Sequence, residues 1–94
     1  MATYPLWPRS KDPDDVLDYS IDWTRELDGD TISTSAWTVP SGLTDENTST
    51  NTSTKTTVWL SGGTDGTSYD VRNRITTAAG RTLDQTVTLK VKTR

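Results

Sequence analysis

The chain has no cysteine and no histidine. Without cysteine there is neither a disulfide nor a thiolate nucleophile. Without histidine the commonest general base and the commonest metal ligand are missing. Phenylalanine is absent and methionine occurs once, so four tryptophans and three tyrosines must supply the bulk of any core. Apolar residues make up 30% of the 94, well under the usual share. No apolar run approaches the roughly 18 residues of a membrane span. The N-terminus lacks the basic-then-apolar pattern of a signal peptide. A net charge of −3 argues against nucleic acid, where a basic patch is expected. These absences lead us to expect a protein made and kept in a cytoplasm, or built into a particle assembled there. They also lead us to expect no cofactor, no metal, no nucleic acid and no membrane partner.

Threonine is what the chain has in excess, at about a fifth of all residues, and it favours strands. The length allows one domain with a small core. In Thr67–Thr77, Tyr69, Val71 and Ile75 fall on one parity and Asp70, Arg72 and Arg74 on the other, the mark of a half-buried strand. Ala78 to Arg81 reads as a turn around Gly80. The chain returns through Leu83, Val87, Leu89 and Val91, which gives a hairpin. Val16–Thr24 is a further strand, with Leu17, Tyr19, Ile21 and Trp23 on one face. Leu27 to Asp30 is a turn, read most simply as a hairpin turn. Thr31–Val39 is a strand whose apolar parity switches between Ile32 and Trp37, so a β-bulge is expected near Ser33 to Ser35. Leu43 to about Asn47 reads as a mobile loop. A polar edge strand then runs through Thr48, Thr50, Thr52, Thr54 and Thr56, in phase with Val58 and Leu60. Five to seven short strands without an amphipathic helix mean a sandwich or small barrel.

Residues 1–15 hold Pro5, Pro8 and Pro13 and read as an extended arm; residues 16–94 read as one sandwich domain. Leu6 and Trp7 are candidate contact residues of the arm, docking on its own sandwich or on a neighbour, unless the terminus is simply loose. The core strands begin only near Val16, so the pair is expected to serve assembly rather than folding. Trp23 and Trp37 read as core. Trp59 has opposite parity to Val58 and Leu60: it is an exposed hot-spot candidate or a cap on the sandwich rim. Asn73 shares the inward parity of Tyr69, so it is expected near a sandwich end where its amide can be satisfied.

No motif carries catalysis. Asp28-Gly29-Asp30 has too few oxygen donors for a calcium loop. Asp12, Asp14 and Asp15 read as a solvated acidic face. The two Asn-Thr-Ser triplets are chance matches in a Thr- and Ser-rich chain. Gly62, Gly63 and Gly66 lack the helix and the Lys of a phosphate loop. No serine or threonine has a histidine base to activate it.

Two resemblances add to this. Leu60, a Gly-rich turn and Gly66 to Val71 resemble the tyrosine-corner region of immunoglobulin-like and fibronectin type III domains, which gives Tyr69 a bond back to nearby backbone. More broadly, five stretches are similar to small proteins from the structural gene clusters of tailed bacteriophages and prophages, some described as fibre–tail adaptors. The stretches are Lys11–Trp23, Leu27–Ile32, Trp37–Pro40, Val58–Thr64 and Asn73–Thr82. This resemblance implies an all-β, immunoglobulin/fibronectin type III-like sandwich in a virion, assembled in the host bacterial cytoplasm. It implies a non-enzymatic protein joining tail, neck or fibre proteins, with homo-oligomerisation left open. The interface candidates are then Leu6, Trp7, Trp59, Thr52 and Thr54. The alternative is a module that recognises carbohydrate or a host surface through Trp59 and the polar edge.

Overall fold

A computed structural model describes residues 4–94; the first three residues of the expected arm lie outside the described residues. The elements run β1 (Leu17–Asp22), α1 (Thr24–Leu27), β2 (Ile32–Thr38), β3 (Leu43–Asp45), β4 (Thr50–Asn51), β5 (Lys55–Gly62), β6 (Ser68–Thr77) and β7 (Thr82–Lys90). They make two antiparallel sheets that pack as a sandwich. In the first, β5 is flanked by β1 on one side and by β3 and β4 on the other. In the second the order is β2-β6-β7.

Alternation explains the strands. Val58 and Leu60 of β5, Val71, Asn73 and Ile75 of β6, and Leu89 of β7 are fully buried, and the residues that alternate with them along each strand face out or sit at intermediate exposure. The hairpin β6–β7 pairs without a shift from Ser68↔Lys90 to Thr76↔Thr82. Gly80 closes it at φ 90, where a side chain would be strained. The register of β2 on β6 shifts between Ile32 and Thr34, and this bulge brings Ile32 and Trp37 to the same side.

Four sequence expectations are corrected. Leu43 to Asn47 is not a mobile loop: Leu43–Asp45 is strand β3, paired with β5 from Leu43↔Gly62 to Asp45↔Leu60, and Leu43 is buried in the core. Leu27 to Asp30 is not a hairpin turn, because β1 and β2 lie in different sheets. A single helical turn, α1, intervenes and buries Leu27. Asp22 receives the Thr24 N–H at 2.9 Å and its hydroxyl at 2.6 Å, and Asp28 ends the turn in the left-handed region at φ 49. The Thr-rich edge strand is not continuous. Only Thr50 and Asn51 pair with β5, and the chain then reverses. Thr52 Oγ1 accepts the N–H groups of Thr54 (3.3 Å) and Lys55 (3.0 Å), so a residue type that favours strands by its branching here holds a turn by its hydroxyl. Asn73 lies in the interior rather than near an end: it is fully buried between the sheets.

Tyr69 opens β6, and its hydroxyl accepts the Thr64 N–H at 2.9 Å. Gly42 lies directly on the ring. A Cβ there would fall 2.9 Å from Tyr69 Cε1, at a φ of +104. Tyr69→Phe should therefore keep the packing and orphan one backbone donor. The expected loss is about 0.5–1.5 kcal/mol. Urea unfolding checks it, and an unchanged midpoint would remove the bond from the stability of the corner.

Candidate functional site

The arm closes one side of the sandwich. Trp7 N–H donates to Thr88 O (3.1 Å), Thr88 N–H to Pro5 O (2.8 Å), Lys11 N–H to Lys90 O (3.0 Å) and Lys92 N–H to Lys11 O (2.8 Å). The arm thus runs parallel to β7, with bridges at Leu6↔Thr88 and Lys11↔Val91. Its side chains reach the other sheet. Trp7 Nε1 donates to Ser20 O at 2.9 Å, and Arg9 bonds Asp18 O, so two carbonyls of the free β1 edge are capped.

Trp7 is therefore not available to a partner. It is 9% exposed and lies 4.9 Å from the Tyr19 ring and 6.4 Å from the Trp37 ring. The reason is the alternation of the extended arm: Trp7 faces inward, while Leu6 is 46% exposed. Lys11 is fully buried, and its ammonium donates to Gly62 O (2.5 Å) and Asp12 O (2.9 Å). Burial lowers its pKa, and the carboxylates of Asp15, Asp12 and Asp14 oppose that shift. The acidic cluster is thus not merely a solvated face. Asp12 also accepts the Arg94 N–H (2.9 Å), which holds its carboxyl below the ordinary value, and Asp15 pairs with Arg94 at 2.6 Å.

Two outer faces remain for partners. On the first sheet Trp59 stands 38% exposed, opposite Asp18, with Ser20, Thr57 and Ser61 around it and Glu46 bonding its carbonyl at 3.0 Å. On the second sheet Thr38, Arg72 and Thr86 lie side by side across β2, β6 and β7. With Tyr4, Pro40 and Asp70 they line an open groove of about 330 Å³. Neighbouring Arg74 is held by Asp84 at 2.7 and 3.0 Å, which lowers the carboxyl's pKa and raises that of the guanidinium. Arg72 makes no ion pair among the described residues.

The candidates are therefore dispersed. Leu6 turns outward beside Thr88 of the second sheet, and Trp59 belongs to the opposite face. Thr52 and Thr54 sit in the β4–β5 turn, with Thr54 O accepting the Trp23 N–H at 2.8 Å. The groove at Tyr4 and Arg72 was not expected from sequence. Its only signal there was the outward parity of Arg72. Among the described residues no group of three or more carboxylate, imidazole or thiol side chains could hold a metal ion, and no helix is long and apolar enough to cross a membrane.

Residues 11–90 match the family model described as podophage GP4 fiber-tail adaptor protein gp77. The chain belongs to this family. No curated protein matches it. Membership in the adaptor family gives a structural, tail-associated role in a phage particle. The match begins at Lys11, where the ammonium is buried against Gly62, and ends at Lys90, the last residue of β7. It therefore spans both sheets.

Proposed function

We propose that this adaptor is a non-enzymatic virion component that joins tail, neck or fibre proteins through the outer faces of its two sheets. Host assembly in the bacterial cytoplasm fits a chain that needs no disulfide. Trp59 carries the reading. Its parity turns it away from a core where Val58 and Leu60 are fully buried, so folding does not require the ring to be where it is. Tryptophan on such a face is the residue type most enriched at binding hot spots. Trp59→Ala should leave the unfolding midpoint within about 0.5 kcal/mol of wild type. Truncating a hot spot costs about 2 kcal/mol or more of binding, or about thirtyfold in affinity. Particles grown with the variant should therefore carry markedly less of this chain or of the component that follows it. Normal composition of those particles would remove the Trp59 face from the joining contacts.

A further inference from the structure

We propose that the free edge of β2 takes an added strand: an extended segment of another tail polypeptide, with a carboxylate on its outward parity, pairs with the backbone of Ser35 and Trp37. The inference rests on the adaptor reading for the source of that segment. It goes beyond that reading by naming a strand edge rather than a sheet face.

The ladder shows which groups are free. Along an antiparallel strand, the backbone groups of alternate residues turn to opposite neighbours. Thr88 donates its N–H to Pro5 O and accepts the Trp7 N–H, and Lys90 O accepts the Lys11 N–H. Val87 and Gln85 therefore turn to β6, where they oppose Val71 and Asn73. Arg72 and Arg74 of β6 turn the other way, to Thr38 and Ala36 of β2. Ser35 and Trp37 are left turned away from the sheet. Neither backbone bonds any other described residue. Two N–H groups and two carbonyls thus stand in a row, and another extended backbone matches their spacing.

The other edges are protected. The arm covers β7, Trp7 and Arg9 cap carbonyls of β1, and β3 and β4 run for only 3 and 2 residues. Open edges ordinarily carry charge, proline or a bulge against unwanted pairing. The β2 sequence ISTSAWT has neither charge nor proline. Its bulge lies between Ile32 and Thr34, where Ser53 O already takes the Ile32 N–H. Ser35 and Trp37 lie beyond that protection.

Charge selects the occupant. Arg72 opposes Thr38 across the ladder and pairs with no carboxylate among the described residues. Asp70, two residues before it, accepts the Thr88 hydroxyl at 2.8 Å instead. An added strand would lie two strand spacings from β6, about 10 Å, which an arginine and a carboxylate side chain span together. A second copy would bring its own β2, which has no carboxylate, and would leave Arg72 unanswered. The occupant is therefore a segment of a different protein.

Amide hydrogen exchange tests this on the wild-type chain, free and in particles. In the free chain Ser35 and Trp37 should exchange fast beside protected Ala36 and Thr38. In particles the Ser35 and Trp37 amides should exchange at least tenfold more slowly. Two variants give a second measurement. Ser35→Ala and Ser35→Pro both lose the Oγ that accepts Asn73 Nδ2 at 2.9 Å. Only proline also loses the outward N–H, a loss an edge strand tolerates. Ser35→Pro should be at least tenfold less abundant in particles than Ser35→Ala. If the unfolding midpoints show that the proline variant does not fold, the wild-type exchange decides alone. Unchanged exchange in particles, or a folded Ser35→Pro as abundant there as Ser35→Ala, would overturn the proposal. So would protection that appears when the free chain is concentrated, because the occupant would then be a second copy. Arg72→Gln incorporated like wild type would overturn the choice of an acidic segment. Unprotected amides in particles that still lose the chain with Trp59→Ala would overturn the β2 edge and leave the adaptor reading standing.

Discussion

Trp7→Ala is expected to cost about 3–5 kcal/mol, the range for removing a large aromatic from a core. Such a loss is a large part of the 5–15 kcal/mol that holds a typical domain together. Two contributions are lost with this side chain. The indole is 91% buried between Tyr19 and Trp37. Its N–H caps the Ser20 carbonyl at 2.9 Å on a sheet edge that would otherwise be open. The backbone N–H of residue 7, which donates to Thr88 O, stays in the alanine variant and leaves only with the arm. Trp7→Phe keeps much of the apolar area and loses only the bond to Ser20 O, so it should fall between alanine and wild type. Deleting residues 1–10 should cost at least as much as Trp7→Ala, because Pro5 O and Arg9 leave as well. Denaturant midpoints of the three variants check the order. If the deletion matched wild type, the arm would be separable from folding, and its contacts with β7 and β1 would carry no net stability.

The arm illustrates what a sequence can and cannot say about this fold. In β1, β5, β6 and β7 each strand has a wet face and a dry face, so the alternation of Tyr19 with Asp18, or of Val71 with Arg72, declares both the strand and its orientation. In the arm the alternation of Leu6 with Trp7 is too short to declare a strand in the sequence, because Pro5 and Pro8 flank the pair. Its partner β7 lies at the other end of the chain, and nothing local points to it. Composition therefore leaves the arm loose, docked on its own sandwich or docked on a neighbour; the structure has it on its own sandwich, and the tryptophan expected to serve assembly is a core residue. The Thr-rich stretch fails for a different reason. Threonine favours strands through its branched side chain, yet its hydroxyl also holds turns, and Thr52 uses the second property. Trp59 was legible, because parity alone separates it from Val58 and Leu60. The Arg72 groove was not, since Tyr4 comes from the arm and Pro40 from beyond β2. No run of sequence places them together.

Asn73→Ala is expected to destabilise the sandwich by roughly 3–5 kcal/mol. Parity put this residue inward, but a sequence does not say where an inward amide finds partners. All four of its bonds are made in the interior. Its carbonyl accepts Trp23 Nε1 at 3.1 Å and Thr56 Oγ1 at 2.7 Å. Its amide nitrogen donates to Ser35 Oγ at 2.9 Å and Ala36 O at 3.0 Å. These partners come from both sheets, so one side chain ties them across the core. Each buried polar group left without a partner costs about 1–3 kcal/mol. Alanine strands the Thr56 hydroxyl proton and the Ala36 carbonyl and leaves a cavity besides. Trp23 Nε1 retains only the 3.3 Å contact to Thr56. A second variant separates bonding from volume. Asn73→Asp keeps the shape and the accepting oxygen, but at neutral pH it sets a buried carboxylate against Ala36 O. Burial raises the pKa of such a group in the folded state above its unfolded value. The folded state then holds the extra proton more tightly, so this residue's contribution is largest below the unfolded pKa and falls as pH rises. The stability gap between Asn73→Asp and wild type should therefore narrow on acidification, while the gap for Asn73→Ala should not. A pH-independent gap for the aspartate would show that the cost is steric. Equal midpoints for Asn73→Ala and wild type would show that water replaces all four bonds and that the sheets are held by apolar packing alone.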